Sequence, residues 1–147
     1  MATFFSRKVP IGVTDFFHCR IFTKHVLLNG LIYECANMIN TAFGYCSNNI
    51  IKGDYDDTLP NTTTDRLFYM VWIDCHLYES TVPVLEWLTD KMVDGAVICF
   101  DDWFSFNGRS AKDEQQATSK WMEKIPRLSL MPYQTFHWSG KSFLFHK

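Results

Sequence analysis

Apolar and polar positions fall into blocks whose period changes along the chain. Leu67 to Asp74 is a continuous apolar run that closes on a carboxylate. Ala96 to Phe100 is a second such run, closing on Asp101 and Asp102. Runs of this length without a polar face predict parallel strands covered on both sides. Asn49 to Lys52 is a shorter run turned by Gly53-Asp54 and predicts another buried strand. Between the strands the period lengthens. Leu31, Cys35, Met38, Ile39 and Ala42 share one helical face over 31–43, with Gly44 as the stop. Asp57 to Pro60 reads as a turn or a short helix start. Ser80-Thr81 ahead of Pro83 marks another helix start. Val84, Leu85, Leu88 and Met92 form its stripe, and Gly95 its stop. Ala117, Trp121 and Ile125 share a face of a helix over 110–125, ended by Pro126. Tyr133 to Trp138 and Lys141 to His146 flank Ser139-Gly140 as the arms of an antiparallel hairpin. Residues 1–28 show no clean period of either kind.

Helices alternating with strands predict an α/β protein with a mostly parallel sheet, to which the hairpin adds an antiparallel edge. The chain has 147 residues, enough for one compact domain. With 47% hydrophobic residues it can bury a core and is too apolar for disorder. A net charge of −2 argues against a nucleic-acid partner, which would call for a strong basic excess. No apolar run approaches the ~20 residues that span a bilayer, and residues 1–17 lack the apolar core of a secretory signal. A cytoplasmic, membrane-free protein is expected. Cys19, Cys35, Cys46, Cys75 and Cys99 include no CxxC pair, so reduced, buried thiols are the expectation.

Open α/β sheets bind ligands at the carboxyl ends of their strands. Asp74 and the pair Asp101-Asp102 end two strands joined by about 20 residues, a length that suits parallel neighbours. Carboxylates gathered there repel, and a divalent cation such as Mg²⁺ would relieve that repulsion. The plainer alternative is that each acid caps a helix or forms a turn. His76 lies two residues after Asp74, on the same side of an extended backbone, and could act as a general base. A structural, hydrogen-bonded role for His76 is the alternative. An aspartyl phosphatase using Asp74 would want an acid where His76 stands. A Cys75 nucleophile would point away from His76 along a strand.

Three ordered blocks carry a more specific signal. These are Ile51-Lys52-Gly53-Asp54-Tyr55-Asp56-Asp57-Thr58-Leu59-Pro60, Ile73-Asp74-Cys75-His76-Leu77-Tyr78-Glu79-Ser80-Thr81 and Gly95-Ala96-Val97-Ile98-Cys99-Phe100-Asp101-Asp102-Trp103. Together with Gly108 and the helix holding Asp113-Glu114, the chain over 30–146 resembles the macrocin O-methyltransferase family of class I enzymes. The resemblance implies a Rossmann-like sheet and S-adenosylmethionine as methyl donor. It implies Mg²⁺ or another divalent cation on Asp74, Asp101 and Asp102. The acceptor would be a small hydroxylated, sugar-like molecule, with His76 as catalytic base. Gly53 and Asp54 would lie at the donor, Asp54 facing its adenine.

The chain departs from the family in two places. The family commonly has Asp where this chain has His76. Class I enzymes also open with a strand, a glycine-rich loop and a second strand ending in an acid. Gly12, Gly30 and Gly44 are isolated, and Glu34 reads better as a helix-face residue than as that acid. The expectation is therefore one partial domain over 1–147, truncated at its N-terminus, with 1–29 unassigned and 30–147 family-like. Without the first two strands, the strand at 67–73 would have an open edge and the strand at 49–52 would be detached. An open edge favours homo-oligomers. The alternative to an enzyme is an inactive remnant or interaction module.

Overall fold

The computed structural model describes residues 2–6, 19–22, 47–51, 53–65 and 67–147, the first three segments as backbone only. Strands β1 (Ala2–Ser6), β2 (Cys19–Phe22) and β3 (Ser47–Ile51) precede a single turn of helix, α1 (Tyr55–Thr58). Then follow β4 (Phe68–Asp74), α2 (Tyr78–Leu88), β5 (Met92–Phe100), a 3₁₀ turn at Ser105–Gly108, α3 (Asp113–Lys124), β6 (Ser129–Phe136) and β7 (Gly140–His146). They build one seven-stranded sheet in the order β3-β1-β2-β4-β5-β7-β6.

Pairing is parallel for β2 with β4 and for β4 with β5, and antiparallel for the other neighbours. Following those directions across the sheet, β2, β3, β4, β5 and β6 run one way while β1 and β7 run against them. This is the expected α/β sheet with its antiparallel C-terminal hairpin. The open edge expected beside β4 is not there. β2 pairs along it from Cys19↔Val71 to Phe22↔Asp74, and β1 joins β2 to β3. Segments too short to show a period at the sequence level supply the missing strands.

The core lies between the sheet and the α2–α3 layer. Val71 and Ile73 of β4, Ile98 and Phe100 of β5, Val84, Leu85 and Leu88 of α2, and Trp121 of α3 are all buried. Each such side chain contributes about 1.5–3 kcal/mol of burial free energy. Trp121 also donates its indole N–H to Thr89 Oγ1 at 2.8 Å, tying the end of α2 to α3. The two faces of β4 differ, however. Val71 and Ile73 are sealed, whereas Met70, Trp72 and Asp74 are half-buried.

Other boundaries shift for local reasons. Helix α2 starts at Tyr78, ahead of the Ser80-Thr81 signal, because Leu77 is extended and its carbonyl accepts the Ser80 and Thr81 amides. It ends at Leu88 rather than Gly95. Met92 therefore enters the core from a strand, because a residue four after Leu88 satisfies burial in either geometry. Gly95, at φ 81°, instead sits where β5 bulges against β4 between the pairs Phe68↔Met92 and Met70↔Val97. The helix expected over 31–43 lies outside the described residues. Among those described, no helix is long and apolar enough to cross a membrane. Cys75 and Cys99 are free, buried thiols, as expected.

The hairpin depends on one close approach. The ring of Phe136 rests on Gly140 and packs on Trp72 with centroids 4.7 Å apart. A Cβ at Gly140 would come within 2.1 Å of that ring. Gly140→Ala is expected to lower stability by about 1–3 kcal/mol, the usual effect of overpacking. Urea unfolding checks this, and an unchanged midpoint would mean Phe136 can swing away freely.

Candidate functional site

The carboxyl ends of β4 and β5 are adjacent, and their ladder continues past the strands. The Asp101 amide donates to the Ile73 carbonyl at 2.9 Å. Asp74, at the end of β4, is thereby level with Asp101 and Asp102. His76 follows in a left-handed conformation, φ 63°. That turn brings its ring across to the next strand, where Nδ1 meets Asp102 Oδ2 at 2.6 Å. A carboxylate can only accept, so Nδ1 carries the proton and Nε2 is the ring's basic nitrogen. His76 is half exposed, at 49%, whereas the Asp102 side chain is only 9% exposed. Ser105 Oγ donates to the other Asp102 oxygen, Oδ1, at 3.1 Å.

The neighbouring acid has an imidazole of its own. His137, in the β6–β7 turn at φ 39°, places Nε2 3.2 Å from Asp101 Oδ1. Ser139 fixes that turn. Its amide donates to His137 Nδ1 at 3.2 Å, and its hydroxyl donates to the Asp101 carbonyl at 2.7 Å.

Beneath this surface lies Glu114, in the first turn of α3 and 1% exposed. Its Oε2 accepts the Asp102 amide at 3.2 Å, and its buried Oε1 makes no hydrogen bond. Burial pushes its carboxyl up to about 9, and repulsion from Asp102 adds to the rise. The amides of Cys75 and Asp102 offset part of it. Glu114 is thus an uncharged acid at neutral pH. Burial also pushes up both thiols, Cys99 to about 12 and Cys75 well above its ordinary value. Neither suits nucleophilic catalysis.

The left-handed non-glycine residues described are His76, after β4, Phe106 and Asn107 in the 3₁₀ turn, Asp113 at the start of α3, and His137 in the β6–β7 turn. Such positions cost about 1–3 kcal/mol each and persist where surrounding contacts over-determine them. Phe106 meets the His76 ring edge-on with centroids 6.0 Å apart. Phe104, two residues before Phe106, is exposed, and Trp138, next to His137, is 80% open to solvent.

The expected site residues do not all converge. His76 and Asp102 are in contact, Asp101 is adjacent, and Asp74 ends the neighbouring strand. Gly53 and Asp54 lie beyond the end of β3, three strand spacings or about 14 Å along the sheet from β4. Asp54 precedes α1 and is exposed, yet its side chain makes no capping bond. Thr58 returns instead to the Asp54 carbonyl, through its amide at 2.9 Å and its hydroxyl at 2.7 Å. Gly53 is closed over by Thr58, whose Cγ2 would lie 2.5 Å from a Cβ there.

The expected cation finds a poor fit. Among the described residues, no three His, Cys, Asp or Glu side chains are arranged to hold a metal ion. Both Asp102 oxygens and one of Asp101 are already hydrogen-bonded. Sequence reasoning reached neither His137 nor Ser139. The signal available was the hairpin itself, whose turn must lie at the carboxyl end of a strand paired antiparallel to it. Glu114 was in view only as part of a matching block.

Fold and site together define a Rossmann-like α/β protein whose candidate site lies where the ends of β4 and β5 meet the β6–β7 turn. The macrocin-O-methyltransferase (TylF) family profile matches residues 42–131, more than half of the chain, and the chain belongs to that family. Comparison with curated proteins finds no match. Among solved structures, the O-methyltransferase NovP is similar in fold, with TM-score 0.58 at 23% identity over 76% of this chain and 43% of its own length. The apo structure of CalS11, a TDP-rhamnose 3'-O-methyltransferase of calicheamicin biosynthesis, gives 0.46 at 20% identity over 64% of this chain and 39% of its own. TomG from Streptomyces achromogenes, an O-methyltransferase of tomaymycin synthesis solved with SAM, gives 0.44 at 17% identity over 62% and 46%. The chain therefore spans less than half the length of these structures.

Glu114 yields a pH test on chelator-treated protein. The unfolded chain ionises this group near its ordinary 4.5, whereas the folded chain holds the proton until about 9. A raised folded value means that stability drains away as pH climbs between those two limits. Glu114→Gln is expected to match wild type at about pH 4 and to exceed it by at least ~1 kcal/mol at about pH 8. Urea unfolding at both pH values reads the difference. A gap that does not widen with pH would refute the buried neutral acid.

Proposed function

We propose that this chain is an S-adenosylmethionine-dependent O-methyltransferase domain for a small, sugar-like hydroxylated acceptor, with His76 as the general base. The observation that carries the reading is the His76–Asp102 pair in a chain of the TylF family, at the sheet end where ligands bind. The Gly53–Asp54 corner suits the donor's polar adenosine end. Gly53 admits the tight closure of Thr58, and the Asp54 carboxylate has no capping bond to hold it.

When bound, the donor supplies a sulfonium methyl group open to in-line attack. His76 Nε2 takes the proton from the acceptor hydroxyl. Gly53 and Asp54 would hold the donor, which would supply its methyl group to that oxygen and keep the carbon–sulfur electron pair on sulfur. Asp102 holds Nδ1–H, fixing the tautomer in which Nε2 is basic, and stabilises the imidazolium that forms. Alignment of the two reactants provides much of the rate. The exposed rings of Phe104, Phe106 and Trp138 offer apolar faces to a sugar's C–H surface.

A second reading, an inactive remnant or interaction module, also has an observation behind it. β1 runs against its neighbours, so Ala2 lies level with Ile21 and Ile51, where the family resemblance implies a second strand ending in an acid. Donor binding separates the two readings. Calorimetric titration of S-adenosylmethionine is expected to show saturable binding that Asp54→Ala weakens. His76→Asn is expected to keep that binding and to lower methyl transfer to a sugar nucleotide about 10²–10⁴-fold. A folded chain that binds no donor would favour the remnant.

A further inference from the structure

We propose that this chain holds the paired acids at its β5 end with two imidazoles instead of a divalent cation. The inference concerns cation binding alone and stands apart from the methyl-transfer reading.

Adjacent carboxylates at strand ends need positive charge or hydrogen-bond donors. Here the donors are built in. Asp102 receives His76 Nδ1–H on Oδ2 at 2.6 Å and Ser105 Oγ–H on Oδ1 at 3.1 Å. Asp101 meets His137 Nε2 at 3.2 Å. Both histidines stand in left-handed backbone, φ 63° and 39°, a conformation that must be held in place by such contacts. His137 is locked further by the Ser139 amide, and Ser139 is itself anchored on the Asp101 carbonyl. Mg²⁺ demands near-octahedral oxygen ligation at about 2.0–2.1 Å, and a ligand carboxylate must turn its oxygens to the ion. To bind one, Asp102 would have to give up its imidazole. Where the family commonly offers a further acid, His76 offers a ring that consumes an acid already there.

The test is Mn²⁺ binding to chelator-stripped protein, followed by electron paramagnetic resonance without donor or acceptor. Wild type and Asp102→Asn are expected to bind equally weakly, within about twofold. His76→Asp combined with His137→Gln is expected to bind about tenfold more tightly or better, a gain that adding Asp102→Asn abolishes. Circular dichroism checks that each variant is folded. If the double variant does not fold, the wild-type comparison decides alone, together with the single variant His76→Asp. Tight binding of one Mn²⁺ by wild type that Asp102→Asn removes would overturn the proposal, as would variants that fold and gain nothing.

Discussion

Asp102 is the residue on which this end of the molecule depends. Its amide donates to Glu114 on α3, one carboxylate oxygen accepts Ser105 and the other accepts His76 from the loop after β4. Three segments meet on one residue whose side chain is nearly buried. A buried carboxylate without partners would cost several kcal/mol. With them it fixes the β4 loop, the turn after β5 and the start of α3 relative to one another. Burial and repulsion from Asp102 both push the carboxyl of Glu114 beneath it upward.

Strain is distributed around the same point. Two of the left-handed non-glycine residues, His76 and His137, are held by their contacts with Asp102 and Asp101. The core at the α2–α3 layer supplies the rigidity: residues that seal it, such as Ile73 and Phe100, immediately precede the acids. Packing thus sets the positions from which the polar residues reach across.

Much of this was legible from residue order, for a physical reason. A strand covered on both faces reads as a continuous apolar run, so 67–74 and 96–100 stood out, and the acids closing them marked one end of the sheet. What escaped notice lacked such a constraint. β1 and β2 are too short for a period to emerge. Gly95 looks the same whether it stops a helix or makes a bulge, and Met92 satisfies the core in either geometry. His76 could be identified beside Asp74 but not paired with Asp102, because the pairing spans 26 positions and depends on a left-handed turn. His137 is 36 positions from Asp101 and reaches it only through the antiparallel return of β7.

The sheet also shows how much of a fold can change while its ligand end persists. The stretch from β3 to β6 supplies the acids, the candidate base and the Gly53–Asp54 corner, and the family match falls largely within it. The two strands completing the sheet come from segments without family motifs, and one of them runs backwards. A sheet tolerates that reversal because antiparallel ladders satisfy backbone groups at least as well as parallel ones. Hydrogen bonding therefore does not demand the family's strand direction at β1. Only the ligand does, since reversing a strand removes its carboxyl end from the binding side. The parallel pairing of β4 with β5 is what brings Asp74 level with Asp101 at one edge of the sheet.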